Sequence, residues 1–159
     1  MSEDDRQRDN PGGILVPPPL IFLGGLMSGL VLDRLAEVPA PAGRLSRSAG
    51  LVLVVAGTSL AGWFGRTMKD SGTSFRLDES AEKLLTDGPF RHSRNPGYLS
   101  FAMTYAGASL LARSSWSILL LPLVMVIIRI RVIEREERYL EREFGKEYLD
   151  YKARVRRWL

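Results

Sequence analysis

The sequence predicts an all-α integral membrane protein: about four transmembrane helices with a cytoplasmic C-terminal helical cap. Three observations predict it. Residues 14–32 and 48–65 carry no charged side chain, and 98–128 carry only Arg113. The charges gather instead in 66–94 and 129–158, so the mean hydropathy of −0.03 averages two unlike classes of segment. Finally, all but four of the 22 Lys and Arg residues, the exceptions being Arg34, Arg44, Arg47 and Arg113, fall on the side of the apolar runs that both chain ends share. A soluble helical bundle would show a polar stripe along each helix, and these runs show none.

The opening "MSEDDRQRDN" has acidic and basic residues in near balance. Residues 1–13 read as a polar tail and 14–159 as one membrane domain. A cleavable leader needs a basic start and small residues at the cut, so the run from Ile14 reads as a retained helix. A bilayer core of roughly 30 Å takes about 20 apolar residues in a helix. Span one is 14–32, with Pro17, Pro18 and Pro19 at its first turn, where missing amide donors do little harm. Span two is 48–65; Gly57 and Ala61 have the spacing of a close helix contact, and Trp63 and Phe64 fall where an aromatic belt sits. The run from 98 is too long for one crossing, and "ARSS" at 112–115 divides it into 98–112 and 115–130. Lys and Arg concentrate on the cytoplasmic side. Both termini and the 66–97 segment are therefore expected inside, in a bacterial-type inner or plasma membrane.

Between spans two and three the chain turns polar. "LDESAEKLL" at 77–85 reads as a short helix or surface segment capped by Asp78 or Ser80. "TDGPFRHSRNPGYLS", 86–100, places Gly88 and Pro89 as turn-formers and Pro96 at the opening of span three. The cap, 131–159, begins as an amphipathic helix leaving span four and running to Phe144. Gly145 ends it, and a second helix follows with Tyr148, Tyr151, Val155 and Trp158 on one face. Such a basic helix pair also suits a surface of anionic membrane lipid.

Several chemistries are excluded. Without cysteine and with a single histidine, neither a disulfide nor a zinc site forms. Lys and Arg flank apolar runs and alternate with Glu, a habit of membrane borders rather than of nucleic-acid faces. Among the polar residues, His92 is either a base or ligand contact or an incidental turn residue. Arg94 is set apart from Arg91 by the adjoining Asn95-Pro96, which restricts its backbone, and by Tyr98 one turn on. Glu136 and Glu137 are either an ordinary charged helix face or a source of one inward carboxylate. Adjacent side chains point about 100° apart on a helix, so at most one of the two is expected inward.

"GPFRHSRNPGYLS", an apolar hairpin, and then "EERYLEREFGKEYLDYKARV" resemble the isoprenylcysteine carboxyl methyltransferase family and the related phospholipid methyltransferases. The resemblance rests on Gly88-Pro89-Phe90, Arg94-Asn95-Pro96-Gly97-Tyr98, Glu136-Glu137-Arg138-Tyr139-Leu140 and Phe144-Gly145-Lys146-Glu147-Tyr148 with Tyr151, and covers about residues 84–157. It implies S-adenosyl-L-methionine in a pocket at the cytoplasmic ends of spans three and four, roofed by the C-terminal helices. It implies as cofactor-binding residues His92, Arg94, Asn95, Tyr98, Glu136, Glu137 and Tyr148, with Arg94 and Glu137 catalytic. Glu137, with Glu136, suits the cofactor amine, Arg94 a carboxylate, and the tyrosines the sulfonium. The acceptor it implies is lipophilic, either the carboxylate of a prenylcysteine-like molecule or a lipid head group, with no obligate protein partner. A carboxylate acceptor needs no base, whereas a lipid amine must lose a proton, for which His92 is the candidate. The family's motif histidine is Asn95 here. Two other readings compete: an NADPH-dependent membrane reductase of the sterol type, and a non-catalytic protein that keeps the fold.

Overall fold

The computed structural model describes residues 16–36, 38, 39, 43–72 and 83–159. The polar tail and the possible cap at Asp78 or Ser80 lie outside the described residues. Helix α1 spans Pro18–Leu35, α2 Arg44–Asp70, α3 Pro96–Leu111, α4 Ser115–Ile128, α5 Glu134–Phe144 and α6 Lys146–Arg154. A 3₁₀ turn, Gly88–Arg91, precedes α3, and a π-helical turn, Arg129–Ile133, joins α4 to α5. No strand occurs among the described residues.

The ends of these helices follow from their residues. α1 begins with proline in its first turn, a place where the absent N–H is no loss. Pro96 opens α3 in the same way. α2 overruns the expected 48–65 at both ends and reaches 27 residues, about 40 Å long at 1.5 Å per residue. It can do so because Arg44, Arg47, Arg66 and Lys69 carry its ends beyond the apolar stretch. Gly145, at φ +51°, lets the chain reverse between α5 and α6.

Three helical stretches are long and apolar enough to cross a membrane: α1, α2 and the continuous Ser115–Phe144. Only 17%, 11% and 28% of their apolar windows are buried within the protein, which fits a lipid surround and not a soluble bundle. α3 has 16 residues, about 24 Å, and it packs along α2. A Cβ on Gly57 would meet Thr104 Oγ1 at 2.5 Å and the Ser100 carbonyl at 2.9 Å, and one on Gly107 would meet the Gly50 carbonyl at 2.6 Å. Backbone therefore lies against backbone along this seam, as small residues permit.

α4 lies along α1, and a polar latch joins them at the end away from the charged helices. Ser114 caps α4, accepting from the Ser117 amide at 3.0 Å. The Trp116 amide donates to Asp33 Oδ1 at 3.2 Å, the Trp116 indole to the Ala36 carbonyl at 2.8 Å, and Ser115 Oγ to the Pro39 carbonyl at 2.8 Å. Two apolar clusters result. One joins Phe22, Tyr105, Val124, Ile128, Val132 and Ile133, with Tyr98 and Trp158 against it. The other joins Leu84, Tyr148 and Tyr151, with Phe90, Leu140, Phe144 and Val155 against it. Trp158 thus departs from the face it was expected to share with Tyr148 and Tyr151. Helix α6 stops at Arg154 and Val155 is extended, so helical spacing no longer governs the last residues.

Candidate functional site

The polar residues converge where the start of α3 meets the start of α5. The 3₁₀ turn aims the chain into this corner: Gly88 takes φ +60° and Pro89 is buried behind it. Helix α5 enters from the other side through the π turn. One extra residue in a turn rotates everything beyond it by about 100°. Charged residues that would continue the lipid-facing surface of α4 are thereby brought round to α3.

Glu137 is buried, with 7% exposure. Its carboxylate accepts a fork from Arg157, Nε to Oε1 at 2.9 Å and Nη2 to Oε2 at 2.7 Å. Arg94 Nη2 stands 3.3 Å from the same Oε1. One carboxylate therefore lies between two guanidiniums. The Glu137 hydrogen bond holds the Arg157 guanidinium above its usual range, so it stays ionised. The Arg94 side chain is only 9% exposed, yet its Nε and Nη1 have no hydrogen-bond partner among the described residues. Buried donors of this kind are rarely left unmade.

Glu136 has a different setting. Its Oε1 accepts from the Tyr98 hydroxyl at 2.6 Å. Both carboxylates of the pair are thus held by protein groups, contrary to the expectation that at most one turns inward. Neighbours on two sides of α5 explain it: α3 supplies Tyr98 and the turn before it Arg94, and the chain after α6 supplies Arg157.

The other expected residues sort differently. The Asn95 side-chain amide donates to the Arg157 carbonyl at 3.2 Å, so it ties down backbone. Tyr148 is 2% exposed in the second cluster; burial, then the Glu137 carboxylate, pushes its hydroxyl up. Burial pushes Tyr151 up to about 12, and its neutral hydroxyl donates to the Phe90 carbonyl at 2.8 Å. His92 is exposed, and its ring centroid lies 6.0 Å from that of Trp63. Arg157 was missed in the sequence, where "RVRRWL" reads as one more basic surface. Beside α3, on the α2 side, lies a cavity of about 440 Å³ lined by Phe64, Met68, Gly97 and Phe101, with Lys69 also at its wall.

Fold and site together define a helical membrane protein with a buried carboxylate–guanidinium centre where its third helix meets the charged extension of its fourth. The chain belongs to the phospholipid methyltransferase family, whose model matches residues 45–147. That match takes in α2, beyond the motifs legible from residue 84 onward. A probable protein-S-isoprenylcysteine O-methyltransferase of Oryza sativa subsp. indica is 32% identical over 77 residues, 48% of this chain and 40% of that protein. Protein-S-isoprenylcysteine O-methyltransferase B of Arabidopsis thaliana is 30% identical over 77 residues, 48% of this chain and 39% of that protein. An uncharacterized protein of Haemophilus influenzae (strain ATCC 51907 / DSM 11121 / KW20 / Rd) is 40% identical over 62 residues, 39% of this chain and 98% of that protein. The chain spans about two fifths of the length of the plant relatives it matches. No solved structure matches it.

Proposed function

We propose that the protein is an integral membrane methyltransferase that transfers a methyl group from S-adenosyl-L-methionine to a lipophilic acceptor at the cytoplasmic membrane border. The observation that carries this reading is Arg94, whose side chain is 9% exposed and holds two unpartnered nitrogens beside the Glu137 carboxylate. The cofactor carries an ammonium, a carboxylate and a sulfonium, and the residues present fit all three. Arg94 offers Nε and Nη1 to a carboxylate. Glu136, whose Oε1 accepts from the Tyr98 hydroxyl, is the carboxylate offered to an ammonium. Glu137 is already matched by Arg94 and Arg157, which makes it the fixed counter-ion of the site rather than its free carboxylate. Tyr98 and Tyr148 supply aromatic surface suited to a cation.

When bound, the cofactor supplies an electrophilic methyl carbon, whose bond electrons return to sulfur as an acceptor lone pair forms the new bond. The chain's own work is positioning, which for an in-line displacement supplies much of the acceleration. The apolar cavity beside α3 supports an acceptor with a hydrocarbon chain, and Lys69 suits an anionic head on that chain. Such an acceptor needs no general base, in keeping with an exposed His92 and with Asn95 committed to backbone. In this reading α3 is a fourth crossing and both termini are cytoplasmic, as the Lys and Arg distribution supports.

Two measurements test it. Purified protein is expected to bind S-adenosylhomocysteine and not NADPH in calorimetry; binding of NADPH alone would overturn the reading in favour of a reductase. Labelled methyl groups from S-adenosylmethionine are expected to enter a lipid extract with wild type and not with Glu137→Ala. No transfer under any lipid supply would favour a protein that kept the fold without the chemistry.

A further inference from the structure

Residue 157 is pinned from several directions. Its carbonyl accepts from both Ser93 Oγ at 3.1 Å and Asn95 Nδ2 at 3.2 Å. The preceding carbonyl, of Arg156, accepts the Arg94 amide at 3.0 Å. The following residue, Trp158, packs against the cluster that holds Ile128 and Val132. The extended segment after α6 is therefore strapped across the start of α3, and its side chain at 157 forks onto Glu137.

This strap sits next to an incomplete interaction. An arginine alone with a carboxylate favours two parallel hydrogen bonds. Arg94 has only a single contact with Glu137, at 3.3 Å through Nη2. Arg157 already holds Oε1 and Oε2 of that carboxylate in its fork. We infer that Arg157 is a positioning residue: its fork takes the bidentate edge of Glu137, so that Arg94 meets the carboxylate through Nη2 alone and keeps Nε and Nη1 for a ligand carboxylate. Arg157 also supplies a second positive charge beside Glu137, without which the Arg94–Glu137 pair would be neutral. Asn95 joins the same device as the clasp on the strap. That gives a role to an asparagine that stands where the resembling family has histidine, one that needs a donor and no titration.

The inference rests on the S-adenosylmethionine reading, and its test separates the two. The ligands are S-adenosylhomocysteine and its decarboxylated analogue, which share the nucleoside and thioether and differ in the carboxylate. Titration calorimetry on the full chain in nanodiscs is expected to show wild type preferring the carboxylate-bearing ligand by about tenfold, as one charge-assisted contact implies. In Arg157→Gln the preference is expected to collapse to about twofold or less, with the decarboxylated ligand bound as before. Arg157→Lys, a cation without a fork, is expected to fall between. A merely structural role would weaken both ligands alike. Should Arg157→Gln fail to fold, Asn95→Asp removes the clasp's donor and is expected to reduce the same preference, with faster amide exchange in 155–159. Arg157→Gln or Asn95→Asp keeping the wild-type preference would overturn the inference. Equal binding of both ligands by wild type would overturn it too while leaving the nucleoside-cofactor reading intact. Binding of neither ligand would sink both.

Discussion

Glu137→Gln removes the one negative charge between Arg94 and Arg157 while keeping the side chain's size. Deleting one partner of a buried ion pair costs about 3–5 kcal/mol, because the other charge stays buried without compensation. Here Arg94 is 9% exposed and Arg157 24% exposed, so Arg157 recovers part of its hydration and the lower end, about 3 kcal/mol, applies. At roughly 2–4 °C per kcal/mol for a chain of this size, the melting temperature is expected to fall by about 6–12 °C. Tryptophan fluorescence during thermal unfolding in detergent reads it, since Trp158 adjoins the strap. Glu136→Gln is the control. The amide oxygen still accepts from Tyr98 and no cation is stranded, so the expected loss is about 1 kcal/mol, while S-adenosylhomocysteine binding weakens. The double variant Glu137→Gln/Arg157→Gln is expected to lose less than the sum of its singles, because contacting groups are coupled. A Glu137→Gln protein that melts within about 2 °C of wild type would refute the burial argument, and equal losses at Glu136 and Glu137 would refute the distinction between counter-ion and free carboxylate.

Gly107→Val is expected to drive α2 and α3 apart, since the first added carbon already meets the Gly50 carbonyl at 2.6 Å; the readout is loss of monodisperse protein on size exclusion. Trp116→Phe deletes the indole donor to the Ala36 carbonyl and is expected to cost about 1 kcal/mol in thermal unfolding, with ligand affinity unchanged. His92→Ala is expected to leave S-adenosylhomocysteine affinity within about twofold of wild type by calorimetry, a free-energy change of less than 0.5 kcal/mol, because the imidazole is exposed beside Trp63.

The membrane helices were legible because the bilayer imposes a length and a composition that any sequence must show. The proline starts at 18 and 96, the hairpin break at 112–115 and the reversal at Gly145 were legible because each is set by local backbone chemistry. The motif residues Arg94, Tyr98, Glu136 and Glu137 could be named for the same reason: their order and spacing are properties of the chain. What each carboxylate does could not be read there. The sequence offers Glu136 and Glu137 as near-equivalents on one helix, and the choice between them depends on which cation reaches which. Only the tertiary structure decides that, by bringing Arg157 back from the far end of the chain to take both oxygens of Glu137, and by giving Tyr98 to Glu136. A π turn contributes by changing the phase of α5, which a pattern of 3.6 residues per turn does not foresee. Local patterns determine elements, but the pairing of buried charges and the strap that delivers them is set by contacts between residues 20 to 62 positions apart, and those exist only once the chain has folded.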